Sequence, residues 1–354
     1  MQHPDICIAG AGIIGLSLAL ELHHRGLRVT VFERAAPLAE ASTAAAGMLA
    51  AHDPHNPPQL RALAEFSLSL YPAFLERIHN ISGIRVPFHT DTTLQALPPH
   101  VVVDNILPAD DLTHLLPALH PGDHRFLLLD EHSLDPRELA AALLAAVRAT
   151  TIDLRPNTPV LYVQSHPNSI EVHAPTGVLH AAQFVDCTGA WGATAPAFGI
   201  APKKGQMLAV SLPPSLPLHL VVRTPEIYIV PRTGNSTEHR AIIGATIEDA
   251  GFDKTVDPVD IAKLHALAAA LLPQLASAPI LESWAGLRPA TQDGLPLLGA
   301  IRTQPHHHIA TGHYRNGILL APATAHLMAQ VITGESTSID LSPFSPARFL
   351  SLPK

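Results

Sequence analysis

Hydrophobic spacing changes character along this chain. Asp5 to Ala9 reads as a short buried strand, Ile13 to Leu22 as an apolar helix that Gly26 is placed to end, and Arg28 to Glu33 as a second strand. Pro57 to Ile78 carries Leu60, Leu63, Phe66, Leu70 and Phe74 at helical spacing, which predicts a long amphipathic helix. Ile84 to Leu97 then turns strand-like, Leu107 to Leu119 predicts a short helix, and Asp130 to Thr150 is again helical. In that last stretch Asp135 suits an N-cap, Pro136 the first helical position and Glu138 a capping box. Strand pairs follow around Val160–Val163 and Ser169–Val172, and Gln183 to Cys187 reads as a buried strand ending in Thr188-Gly189-Ala190. A strand-rich block comes next: Gly205–Val210, Leu218–Val222, Ile227–Pro231 and Ala241–Thr246. A capped helix from Pro258 to Leu275 closes it, and the last helix runs from Ile318 to Thr333 with Gly334 as its cap. Strand–helix alternation at both ends around an antiparallel-looking block predicts an α/β fold in which one domain interrupts another. The predicted division is 1–80, 135–205 and 282–354 for the outer domain, with 81–134 and 206–281 for the inserted one.

Composition narrows the class. With 354 residues and 47% hydrophobic content, one large or two ordinary domains can bury a core, and 34 prolines with 21 glycines stay below a low-complexity share. A net charge of −8 with scattered basic residues excludes an electrostatic footprint for nucleic acid. Cys7 and Cys187 lie in apolar strand-like runs and read as core thiols. No apolar run reaches about 18 residues and no Lys or Arg precedes Ile6 to Leu22, so neither a membrane span nor a signal peptide is expected, and a cytoplasmic protein is. His306-His307-His308 invites a metal reading, but neighbours on a strand alternate sides and no carboxylate or cysteine cluster supports them.

The chemistry begins in the first turn. Gly10, Gly12 and Gly15 stand in G-x-G-x-x-G spacing between a strand and a helix: the first permits the turn, the second lets a pyrophosphate approach, the third lets helix and strand pack closely. A plain strand-to-helix turn could use the same glycines. Glu33, 18 residues beyond Gly15 at the end of the second strand, is placed to accept hydrogen bonds from ribose hydroxyls and speaks against a 2′-phosphate, disfavouring NADP. The small residues of Glu40 to Leu49 suit either an alanine-rich helix packed on its neighbours or a segment lying against a flat cofactor ring. Thr188-Gly189-Ala190 offers a second place where backbone can meet a cofactor.

The ordered motifs GAGIIG, VFER, STAAAGML, CTGAW, KGQM, YIVPR, GATIED, WAGLRPATQDGLPLLG and GHYRNGILLAPATA resemble the FAD-dependent D-amino acid oxidase superfamily, and within it the glycine oxidase branch of thiamin thiazole synthesis. The similarity runs from about residue 4 to Phe349. It implies a Rossmann-like FAD-binding domain interrupted by an antiparallel-sheet substrate domain. Arg288 in GLRP matches the arginine that pairs with a substrate carboxylate, Tyr228 in YIVP the tyrosine that hydrogen-bonds it, and Arg315 lies in the motif beside the flavin. A guanidinium fork and a neutral phenol donor suit a carboxylate; an ordinary salt bridge and a strand aromatic are the plainer alternatives. The resemblance implies FAD contacts from Gly10, Gly12, Ile13, Ile14, Gly15, Glu33, Arg34, Ser42, Thr43, Ala46, Gly47, Met48, Val160, Thr188, Gly189, Trp191, Arg288, His313, Arg315, Asn316, Gly317 and Ile318. No cysteine neighbours Tyr314 or Arg315, which predicts non-covalent FAD. Position 247 is Ile where some relatives carry Met. The implied reaction is oxidation of glycine, sarcosine or a small D-amino acid with O2 reduced to hydrogen peroxide, in a homotetramer. A preference for a D-amino acid or N-methyl amine, or a dehydrogenase using another acceptor, stays open at this point.

Overall fold

A computed structural model describes residues 3–97, 105–192, 195–232 and 239–349. The chain begins β1 (Ile6–Ala9), α1 (Ile13–His24), β2 (Val29–Phe32), α2 (Ala41–Ala44), α3 (Arg61–Ser82) and β3 (Phe88–Leu97). It continues α4 (Ala109–Leu115), β4 (Arg125–Leu134), α5 (Pro136–Arg148), β5 (Asp153–Arg155), β6 (Tyr162–Ser165), β7 (Ile170–Ala174), β8 (Gly177–Ala181) and β9 (Gln183–Asp186). Then come β10 (Ala201–Ser211), β11 (Val221–Arg223), β12 (Tyr228–Arg232), β13 (Arg240–Gly244), α6 (Pro258–Leu271), β14 (Ile280–Ala290), β15 (Leu297–Ile301), β16 (Gln304–Thr311) and α7 (Gly317–Thr333).

Three sheets organise these elements. A six-stranded sheet of order β15-β16-β9-β1-β2-β5 is parallel except for β15. Its centre is covered on both faces, which is why β1 is apolar throughout. Ile6 and Ile8 join the core under α1, α3, α5 and α7, while Cys7 and Ala9 face the three-stranded sheet β6-β7-β8 through Ile170 and Val172. Burial pushes the Cys7 thiol up to about 12 and that of Cys187 well above its usual value, so both are packing residues. The third sheet has seven strands, β14-β10-β13-β12-β11-β3-β4, antiparallel except for the β11–β3 pair. One face carries Leu208, Val210, Val222, Ile229 and Ile243 against Ile261 and Leu264 of α6; the other carries Ala209, Val221, Val230 and Ile242 with Tyr228 and Trp284.

Every strand of the six-stranded sheet lies within the predicted outer segments, whereas the expected cuts at 205/206 and 281/282 fall inside β10 and β14. Residues 1–2, 193–194 and 350–354 of the outer segments, and 98–104 and 233–238 of the inserted ones, lie outside the described residues.

Several local expectations are corrected. The helix expected from Asp130 starts only at Pro136, because Arg125–Leu134 pairs antiparallel with β3. Asp135 does cap α5, accepting from the Arg137 N–H at 2.8 Å, but no capping box forms as expected: Glu138 lies 3.3 Å from His89. The long helix starts as a 3-10 turn at Pro58–Leu60 and extends to Ser82, where Gly83 adopts a left-handed conformation. The helix expected to Leu275 stops at Leu271 because Pro273 removes the next amide donor, leaving a 3-10 turn. Between Glu40 and Leu49 only Ala41–Ala44 is helical.

Candidate active site

A cleft of about 530 Å³ runs between the six-stranded sheet and the inner face of the seven-stranded one. At one end α1 begins behind β1. Its N-cap Gly12 has no side-chain cap and its first turn no acid, so the helix presents its positive end to the cleft. Ser42 reaches in to accept from the Ile13 N–H at 2.9 Å. Gly15 does not line the cleft; a Cβ there would sit 1.9 Å from the Gly10 carbonyl oxygen, so its place is at the helix–strand contact. Glu33 faces the cleft at the end of β2, with its carboxylate accepting from Ala11 N at 2.8 Å and Ala35 N at 3.0 Å. Arg34 lies 3.7 Å over the Trp191 ring and pairs with Glu40 at 2.8 Å. Gly10, Gly12, Ile13 and Ile14 line this end, as do Val160, Thr188 and Gly189.

The segment 41–48 forms one wall. Ser42, Ala46, Gly47 and Met48 line the cleft, but Thr43 turns away and donates to Leu38 O at 2.9 Å. Trp284 donates to Ala44 O at 3.0 Å, and the buried Arg232 to Ala46 O, so strands of the seven-stranded sheet hold this wall. Burial lowers Arg232 to about 10. On the far side α7 also starts in the cleft without a side-chain cap or a first-turn acid; His313, Arg315, Asn316, Gly317 and Ile318 all line it. His313 is fixed by Thr324 at 3.0 Å, and burial pulls its pKa down to about 3, so the ring stays neutral. Two helix N-termini, neither capped by its own N-cap side chain, open into one cleft and suit a long anionic ligand with a second electron-rich edge.

The remaining wall is made by register. Trp284, Met207, Gly244, Tyr228, Arg223 and Gln95 are successive partners across β14, β10, β13, β12, β11 and β3. Residues opposite one another share a face, so this row projects side chains toward the cleft. Arg288, on the same face of β14 as Trp284 and Gly286, bends over Gly205. A Cβ on Gly205 would lie 2.1 Å from the Arg288 Nη1, and one on Gly244 would lie 2.4 Å from the Tyr228 hydroxyl. These close approaches explain two glycines of the KGQM and GATIED motifs. Gln206, fully buried, holds the loop after β13 by donating to Glu248 at 2.9 Å and accepting from Asp257 N at 2.6 Å. That loop presents Ile247 to the cleft, 61% exposed.

Arg288 Nη1 donates to Thr246 O at 3.1 Å, and among the described residues no carboxylate lies within ion-pair distance of it. The guanidinium therefore offers an unmatched positive charge beside a phenol. Burial raises the Tyr228 pKa while Arg288 opposes the shift, so the hydroxyl is a neutral donor at any ordinary pH.

Arg223, Asp53 and His55 also line the cleft and escaped the sequence reading. Arg223 is buried and held by Gln95 and by Glu131, whose Oε2 accepts at 2.9 Å. Asp53 accepts from His55 N at 2.9 Å and faces Arg315 at 3.4 Å. Burial alone would raise the Asp53 carboxyl, but Arg223, Arg315 and His55 hold it below its usual value. The one available signal was the polar run His52-Asp53-Pro54-His55 interrupting an apolar stretch. Among the described residues no three His, Cys, Asp or Glu side chains group to hold a metal ion.

Comparison with known proteins adds to this geometry. The chain is 35% identical over 373 residues to the bifunctional protein ThiO/ThiG of Trichormus variabilis, covering 98% of itself and 55% of that protein. It thus spans about half the length of that relative and of the corresponding protein of Nostoc sp.. It is 32% identical over 378 residues to glycine oxidase of Geobacillus kaustophilus, covering 98% of itself and 97% of that enzyme. The crystal structure of that glycine oxidase superposes with a TM-score of 0.90 at 31% identity, over 98% of this chain and 99% of the other. The sequence model for FAD dependent oxidoreductases matches residues 5–331, and the chain belongs to that family.

Proposed function

We propose that this protein is an FAD-dependent oxidase of glycine, with sarcosine and small D-amino acids as further substrates, serving thiazole formation for thiamin. The observation that carries the reading is Arg288: a cation without a carboxylate partner among the described residues, set beside the neutral donor Tyr228 in the cleft that suits the cofactor. The similarity to glycine oxidase along nearly both whole chains supports the substrate class.

FAD is the family cofactor, and the cleft fits it. The positive start of α1 and the Glu33 carboxylate suit the pyrophosphate and ribose, while the positive start of α7 suits the electron-rich edge of the ring. Bound FAD supplies a two-electron acceptor that O2 then reoxidises, giving hydrogen peroxide. Arg288 would bind the substrate carboxylate through a charge-assisted pair, and Tyr228 would donate a further hydrogen bond. Together they would orient the Cα–H bond and hold the amine away from the cation, so positioning does most of the work. The product imino acid hydrolyses in water, and the balance is glycine, O2 and water to glyoxylate, ammonia and hydrogen peroxide. His313, kept neutral, would steady the start of α7 without adding charge to the cleft.

We further assign 1–80, 135–205 and 282–354 to cofactor binding and 81–134 and 206–281 to substrate binding. No helix among the described residues is long and apolar enough to cross a membrane; a cytoplasmic location and a homotetramer complete the proposal. The test is anaerobic flavin reduction by glycine, sarcosine, D-alanine and D-proline. Fast bleaching by glycine with peroxide on readmitting air is expected. Bleaching only by bulkier amines would overturn the substrate, and none by any amine would overturn the activity.

A further inference from the structure

We infer that Asp53 is a specificity-determining residue: it neutralises a second cationic group in the cleft and so restricts the enzyme to amines bearing a single carboxylate. The inference rests on the amine-oxidising reading above.

Arg223 stands directly opposite Tyr228 across the β11–β12 pair, and Arg315 is close enough to Tyr228 to pull on its proton. Both guanidiniums therefore belong to the substrate end. Arg223, 4% exposed, spends Nε on Gln95 and Nη2 on Glu131, itself 1% exposed and tied to His52 N at 2.8 Å. Its remaining nitrogen, Nη1, is buried with no hydrogen-bond partner. Arg315 has Asp53, at 3.4 Å. The Asp53 side chain is only 10% exposed and is fixed by both the backbone and the ring of His55, at 2.9 and 3.0 Å, so it cannot swing out to water without breaking these bonds.

Glu131 thus matches Arg223 and Asp53 matches Arg315, leaving Arg288, among the described residues at this end of the cleft, as the cation without a carboxylate partner, suited to one substrate carboxylate. Glu226, exposed at the same end, adds a further negative charge. A second carboxylate entering here would meet an ionised Asp53 in a site of reduced dielectric, where like charges repel strongly. Without Asp53 the unused Arg223 Nη1 and the freed Arg315 would form a second anion-binding pair.

The experiment compares flavin reduction by glycine with that by iminodiacetate, which is glycine carrying a second carboxylate, in the holoenzyme and in Asp53→Asn, Asp53→Glu and Asp53→Asn/Arg315→Gln. Binding of acetate and malonate, read from the flavin absorbance, follows the same charge rule without turnover. Asp53→Asn is expected to raise the iminodiacetate-to-glycine ratio and the malonate-to-acetate affinity ratio by about tenfold or more. Asp53→Glu should keep the wild-type ratios, and the double variant should lose the gain. A parallel fall for both members of each pair would mean that Asp53 only orders the loop and would overturn the inference. A malonate gain in an enzyme that glycine never reduces would overturn the proposed substrate and leave the charge rule standing.

Discussion

The two ends of the cleft are built by different means. The α1 end is mostly backbone: a glycine turn, a helix terminus and one carboxylate, all within residues 10 to 33. The Tyr228 end is mostly side chain, assembled by strand register from residues as far apart in sequence as Gln95 and Arg288. Backbone sites depend on steric room and fail abruptly when it is filled. Side-chain sites depend on charge and donor matching and fail by degrees.

The largest expected effect tests the backbone end. Gly15→Ala would force a methyl group to within 1.9 Å of the Gly10 carbonyl oxygen, so the protein should lose most of its flavin and about 3 kcal/mol or more of stability. Flavin content and Tm read this directly, and full loading would erase the contrast. Next, Arg288→Ala should keep flavin stoichiometry but lower kcat/KM for glycine by about a hundredfold or more, since a charge-assisted pair is lost. Unchanged kinetics would remove the carboxylate role.

A smaller effect, confined to the six-stranded sheet, is read by pH. His308 is buried in β16, bonded to Gln183 at 2.7 Å, and burial together with His307 and His306 lowers its pKa to about 4. An unfolded histidine takes up a proton below about pH 6.5, whereas the folded one resists, so this stability is present above that pH and is lost as pH falls toward 4. At pH 5 the loss is about 2 kcal/mol. His308→Gln should flatten the fall of Tm between pH 7 and 5, and an unaltered slope would exclude the contribution. The mildest change is Tyr228→Phe. One neutral hydrogen bond is worth about 1 kcal/mol, so kcat/KM should drop about fivefold to tenfold with flavin retained. A complete loss would mean that the hydroxyl takes part in the chemistry.

The same contrast explains what could be read from the sequence. The fingerprint glycines, Glu33 and the capped helices are local patterns, so the six-stranded half and its helices were legible. Arg223 and Gln95 carry no local signature, because what brings them into one row with Tyr228 is pairing between distant strands. Asp53 was legible only as a polar interruption. The misjudged start of α5 has the same origin: Asp130 to Leu134 has helical composition, but pairing with β3 overrides it. Thr43 and Gly15 belong to motifs that shape the cleft, yet neither faces it.

The row from Trp284 to Gln95 has a consequence for how preparations of this protein behave. A slip of one residue between any two of its strands would turn the slipped partner's side chain to the opposite face. The glycine turn and Glu33 would keep their own contacts, while a slip of β14 would release Trp284 from the Ala44 carbonyl in the neighbouring wall. Flavin content and turnover therefore report on different parts of the fold, the first on the glycine turn and Glu33, the second on the register of the row through Tyr228.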